Sequence, residues 1–227
     1  MGKPCISLVG GTGHLGKGLA IRLAAAGYPV LIGSRIPKKA RRAALDVEQV
    51  LSKHGIRVSI GYGENREVVK KGDIVILTVP YEALDTILPV VRDSIKEGAV
   101  LVSPVVPMRI VRGKAQRISI SEGSVALRIQ KEVPEAKVVA AFHTVSYRLL
   151  LEYPAPIEGD VLIFGDDDKA TAQVAELVST IPKLRPIPGG GLKEAYIVEH
   201  IVPLMINIAH RMGKRDIGIK FVWRGDC

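Results

Sequence analysis

A chain of 227 residues with 47% hydrophobic content has enough apolar side chains for one substantial core, and no apolar run reaches the ~18 residues needed to cross a bilayer. Lys and Arg number 32 against 23 Asp and Glu, a formal charge of +9 that points to an anionic partner; aromatic residues are only 4% and are not interleaved with the cations, which argues against nucleic acid. Cys5 and Cys227 stand at opposite ends and make neither a metal-type pair nor a disulfide framework, so no metal, no membrane and a cytoplasmic setting are expected.

In chain order, Cys5-Ile6-Ser7-Leu8-Val9 is a short apolar run opening into glycine, which reads as a buried parallel strand. From His14 to Ala26 apolar residues recur near helical spacing until Gly27, a helix stop. Strands are expected over 30–32, 57–60, 73–78, 99–102 and 137–141, with helices over 38–53 and 81–95 between them. Residues 103–133 form a longer excursion that ends in a helix over 122–131, and a Pro-rich stretch follows His143. A strand over 161–164, the acidic turn Gly165-Asp166-Asp167-Asp168 and a helix to about Ser179 come next. Pro182, Pro186, Pro188 and Gly189-Gly190-Gly191 then form a cluster of breakers. The last helix, 193–212, is apolar on much of its circumference, contains Pro203 and suits a homodimer interface. Strands alternating with helices specify a Rossmann-type α/β fold, a doubly wound parallel sheet over 1–150, with a small, mainly helical C-terminal domain over 151–227.

Gly11-Thr12-Gly13-His14-Leu15-Gly16 is a G-x-G-x-x-G between a predicted strand and a predicted helix. Gly11 serves the turn, Gly13 admits a pyrophosphate close to the backbone, and Gly16 lets the helix pack against the strand. The second strand ends Ile32-Gly33-Ser34-Arg35 with no carboxylate to accept a ribose 2′-hydroxyl, so NADP(H) fits better than NAD. Ser34, Arg35 and Lys39 are candidates for its 2′-phosphate, whereas Lys38, Arg41 and Arg42 read as a solvated helix face.

The runs Gly10 to Gly18, Gly33-Ser34-Arg35 and Leu77-Thr78-Val79-Pro80 resemble the NADPH:F420 oxidoreductases of archaea and some bacteria. Further matches are Ser103-Pro104-Val105-Val106-Pro107, Ala141-Phe142-His143-Thr144, Gly165-Asp166-Asp167-Asp168, Leu184-Arg185-Pro186 and Gly218-Ile219-Lys220-Phe221, so the likeness covers nearly all of the chain. The resemblance implies reversible hydride transfer between NADP(H) and the deazaflavin coenzyme F420. It also implies NADP contacts from Thr12, Gly13, His14, Leu15, Ser34, Arg35, Lys39, Pro80 and Ala83, and further contacts near Val106, His143, Thr144, Tyr147 and Ile217. Val79-Pro80 and Val106-Pro107 would wall the nicotinamide pocket, and C-terminal residues 151–227 would complete the F420 cleft. F420 carries a phosphate and a glutamate tail, which Lys114, Arg117 or Arg148 could steer. His14 stands where an Asn is common in the family, Ala83 and Tyr147 differ from its pattern, and residues 222–227 extend past its usual end.

Two cofactor rings carry the hydride chemistry, so few titrating groups are expected at the site. His143, just past a strand end, reads either as a pocket residue or as a histidine bonded to a loop carbonyl. His54, His200 and His210 read as structural, and Asp166-Asp167-Asp168 as a helix-initiating turn. The rival functional readings are an NADP-dependent reductase of an imine, a keto acid or ferric iron, and a non-catalytic NADP(H)-sensing protein.

Overall fold

Strands buried on both faces carry no polar alternation, and the three at the middle of the sheet follow that rule: β1 (Ile6–Val9), with α1 (His14–Ala25), β2 (Val30–Ser34), α2 (Pro37–Ser52), β3 (Gly61–Glu64) and α3 (Asn65–Lys71) after it, then β4 (Ile74–Leu77), α4 (Leu84–Arg92) and β5 (Val100–Ser103). The chain continues through a hairpin of β6 (Met108–Val111) and β7 (Lys114–Arg117), then α5 (Val125–Glu132), β8 (Lys137–Ala140) and α6 (Tyr147–Leu151). It ends with β9 (Gly159–Gly165), α7 (Asp168–Ser179), β10 (Leu184–Gly190) and α8 (Tyr196–Arg211). The computed structural model describes residues 2–224, so Cys227 and the end of the 222–227 extension lie outside the described residues.

Eight strands form one sheet in the order β10-β9-β8-β5-β4-β1-β2-β3. The strands from β3 to β8 are parallel; β9 runs antiparallel to β8, and β10 parallel to β9. Side chains along the central strands alternate between two cores. Ile6, Leu8, Ile74, Ile76, Val100 and Val102 face α1, α2 and α7, while Val9, Val75, Leu77 and Leu101 face α4, α5 and α8. This is the expected doubly wound fold, with a helical C-terminal part that also lends two strands to the sheet.

Several expectations shift for physical reasons. The third strand is Gly61–Glu64 rather than 57–60, because the strand lies so close to β2 that a Cβ on Gly61 would overlap the Leu31 side chain. The breaker cluster is itself a strand: β10 is the sheet's edge, where Pro186 and Pro188 need no outward ladder N–H. The 103–133 excursion contains the β6–β7 hairpin, whose turn places Arg112 (φ 50°) and Gly113 (φ 77°) both in the left-handed region. Asn207 on α8 fastens this hairpin, its amide donating to Ala115 O and its carbonyl accepting from Ala115 N, each at 2.9 Å.

A second clamp joins α8 to α5. The first three amides of α5 have no intrahelical partner. Ser124 accepts from Leu127 N at 3.0 Å, and the buried Glu199 carboxylate accepts from Val125 N at 2.8 Å and Ala126 N at 3.1 Å. Burial outweighs those two bonds and pushes the Glu199 carboxyl up to about 7. A raised carboxyl pKa contributes stability that is complete below the unfolded value and lost as pH rises through the folded one. Between pH 5 and 8 the wild-type unfolding free energy is expected to fall relative to Glu199→Gln by about 3 kcal/mol; urea titrations giving parallel pH profiles for the two proteins would refute the assignment.

Candidate functional site

The glycine turn after β1 is shaped by close approach. A Cβ on Gly16 would lie 2.5 Å from Gly11 Cα, so α1 can begin against the end of β1 only with glycine there. Gly11 N donates to Leu8 O at 3.2 Å and Gly33 O at 3.0 Å, fixing the turn to both strands. Gly13 caps α1 with no side-chain hydrogen bond, and the space beside its Cα is open. The amides at the start of α1 therefore face outward toward an anion-sized opening. Thr12 and Gly13 line a cavity of about 300 Å³ there.

The tip of β2 reaches the same cavity, with Ser34, Arg35, Lys39, Val79, Pro80 and Ala83 on its walls. Ser34 is buried and its Oγ accepts from Ile36 N at 3.2 Å, so the hydroxyl hydrogen is left to donate outward. Among the described residues no carboxylate lies within 4.0 Å of the Arg35 guanidinium. Asn65 was missed from the sequence: its Oδ1 accepts from Gly10 N at 3.1 Å, and it lines both this cavity and a neighbouring one of about 240 Å³ shared with Ser34 and Arg35. A lone Asn at the start of a helix gives no signal of this long-range bond.

Val79 and Pro80 also border a second cavity of about 290 Å³, which Leu15, Val106, His143 and Tyr147 complete. His143 and Tyr147, with Met108, Val145 and Val202, then border a third of about 610 Å³, where Thr144 and Ile217 lie. A trough thus runs from the glycine turn along the carboxyl edge of the sheet to the face of α8. Gly11 and Gly16 shape the turn from behind, and His14 stands at the seam, its ring stacked on Tyr147 at 5.0 Å and 15°. Tyr147 is held in turn because α6 docks on α1. A Cβ on Gly18 would lie 2.6 Å from Leu150 Cβ, and buried Arg22 donates to the carbonyls of Leu149, Leu150 and Ala155.

His143 is 8% exposed, and neither ring nitrogen has a hydrogen-bond partner among the described residues, so it is not bonded to a loop carbonyl. Phe142 before it holds φ at 66°, a strained conformation for a large side chain that aims the following residue into the trough. Orphaned buried polar atoms ask for an outside partner. Burial lowers the His143 pKa to about 3, so the imidazole is neutral at physiological pH and offers one donor and one acceptor. His210, expected to be structural, lines the third cavity, whereas His54 packs edge-on to Tyr153 and His200 to Tyr196. In the acidic turn Asp167 caps α7 by accepting from Ala170 N at 2.9 Å, and Asp166 accepts from Leu192 N at 2.9 Å. Met108, Val202 and Met205, apolar positions with no distinguishing sequence signal, prove to be walls of the third cavity.

A dinucleotide-sized groove over the β1–α1 turn, opening into a second pocket across the cleft, belongs to the nicotinamide-dependent oxidoreductases of the Rossmann type. Residues 6–107 match the family described as NADP oxidoreductase, coenzyme F420-dependent. The F420-dependent NADP reductase of Methanocaldococcus jannaschii is 36% identical over 95% of this chain and 96% of its own length. That of Methanothermobacter thermautotrophicus is 38% identical over 95% and 93%. The chain belongs to the F420-dependent NADP reductase family. A solved chain from Arthrobacter sp. FB24, 24% identical, shares the fold with a TM-score of 0.80 over 98% of this chain and all of that one. No helix among the described residues is long and apolar enough to cross a membrane.

The His143 ring resonances are expected to stay fixed between pH 5 and 8 in a histidine NMR titration of the free protein; a midpoint near the ordinary value of 6.5 would mean that the ring is solvated.

Proposed function

We propose that this chain transfers a hydride reversibly between NADP(H) and coenzyme F420, using the trough as a common floor for both. The observation that carries the proposal is the pair of adjoining pockets with shared walls, His143 and Tyr147, at the end of the glycine-turn groove. When bound, the two cofactors supply a nicotinamide C4 and a deazaflavin C5 between which the hydride moves. The protein's part is to hold two rings in contact, keep water out and lower the entropic cost of their meeting, an effect that reaches roughly 7–11 kcal/mol in well-oriented systems.

In this reading the amides of Thr12, Gly13, His14 and Leu15 hold the diphosphate, with Gly11 and Gly16 shaping the turn and allowing the helix to approach. Ser34 and Arg35 grip the 2′-phosphate and Lys39 adds charge; the fit is supported by the open Gly13 side and the unpaired Arg35. Val79, Pro80, Ala83 and Val106 wall the nicotinamide side, while Thr144, Tyr147 and Ile217 wall the acceptor side. His143, neutral and unpartnered, bonds a polar ring substituent and orients it rather than acting as a strong acid. Residues 1–150 serve as the NADP-binding part, and residues 151–227 complete the acceptor cleft. We further propose a cytoplasmic homodimer, supported by the exposure of Ile197 (47%), Leu204 (51%) and Met212 (63%) along and just past α8.

Mixing purified protein with NADPH and F420 is expected to remove the deazaflavin absorbance, and no loss at saturating NADPH would reject the proposal. Arg35→Ala is expected to raise KM for NADPH by about ten- to a hundredfold while leaving the weaker use of NADH nearly as it was, since a charge-assisted phosphate contact is worth about 1.5–3 kcal/mol. Equal losses with the two dinucleotides would remove Arg35 from the 2′-phosphate site.

A further inference from the structure

His14 opens α1 and Tyr147 opens α6, and their rings lie on one another at 5.0 Å and 15°. The backbones beneath the two rings are fixed. α6 packs on α1 at Gly18, where a Cβ would lie 2.6 Å from Leu150 Cβ, and Arg22 donates to carbonyls on and just past α6, at Leu149 (2.7 Å), Leu150 (2.9 Å) and Ala155 (2.7 Å). Ser146 caps α6 by accepting from Arg148 N at 3.2 Å, and its hydroxyl donates to Asp216. Only side-chain rotation is left to Tyr147. Two neighbours oppose it, the stacked His14 ring and the Arg148 guanidinium 5.2 Å from the phenol centroid.

Tyr147 holds a shared place in the trough. Met108, His143, Val145, Tyr147 and Val202 wall both the second and the third cavity, and Tyr147 has the bulkiest side chain of the five. Its setting therefore fixes the width of both pockets where they adjoin. His14, an exposed residue, lines neither of them and no part of the cavity over the glycine turn. What its ring gives the site, it gives through Tyr147.

We propose that the His14 side chain is a positioning residue for the acceptor: its ring, carried on the first turn of α1, pins Tyr147 as the wall against which the acceptor's ring is set. The inference rests on the hydride-transfer reading above and deepens it, because it ties the acceptor pocket to the same turn that holds the diphosphate in that reading. A wall free to rotate admits several poses of the acceptor, few of which bring the two reacting carbons into line. The cost of losing the stack thus falls on capture and turnover of the acceptor rather than on dinucleotide binding.

A double-mutant cycle read by steady-state rates, with NADPH saturating and F420 varied, tests the assignment. His14→Asn keeps the backbone amide and a polar side chain on the first turn but removes the ring. It is expected to lower kcat/KM for F420 by about two- to tenfold, the worth of one aromatic pair, while the Kd for NADP+ measured without acceptor moves less. In a Tyr147→Phe background, where the stack persists, the same substitution is expected to cost as much; in a Tyr147→Ala background, where there is no ring to pin, it is expected to cost nothing further. A residue that merely supports α1 would cost the same in every background. An unchanged kcat/KM for F420 in His14→Asn, a matching loss of NADP+ affinity, or an equal fall in the Tyr147→Ala background would overturn the positioning role and leave the hydride-transfer reading standing. Failure of the wild type to reduce F420 would overturn both.

Discussion

The structure turns on how closely α1 approaches the end of β1. Gly16 stands where a methyl group would lie 2.5 Å from Gly11 Cα, so the helix begins almost against the strand and its free amides lie at the sheet's carboxyl edge. Everything along the trough is measured from that point. The tip of β2 lies beside it because Gly11 N is bonded to Gly33 O, and Asn65 at the start of α3 reaches the same turn through Gly10 N. The far wall depends on it too, since α6 packs on α1 at Gly18 and carries Tyr147 to the seam between the two larger cavities.

His143 is kept neutral by burial, and the strain at Phe142 is local to the one turn that presents its ring. Cations stand at the two ends of the trough, Arg35 and Lys39 at one and Arg148, Lys214 and Arg215 at the other, with mostly apolar walls and Glu82 between them. Cations so placed attract anions to either end, which gives the excess of positive charge a local purpose.

Much of this was legible in one dimension. The apolar runs at β1, β4, β5 and β8 cannot be other than buried strands, and the glycine spacing at 11, 13 and 16 carries its own steric reason. The missed elements are those whose stability comes from elsewhere. β3 has two glycines in four residues and exists because β2 lies beside it; β10 is proline-rich and tolerated as an edge; the β6–β7 hairpin is held by the side chain of Asn207, far away in sequence.

The sequence by itself determined the doubly wound sheet, the glycine turn after β1 and a β2 tip that ends in Ser34 and Arg35 without a carboxylate, because each is set by neighbours within a few residues of one another. Only the tertiary structure decided that Asn65 braces the turn, that His143 is stripped of partners, that Glu199 ties α8 to α5 and that the buried Asp160 carboxylate fastens the backbone at Phe221. Those are contacts between residues 55 to 74 positions apart or, for His143, their absence. Burial and hydrogen-bond partnership arise from where the folded chain meets itself, which no local pattern of residue types records.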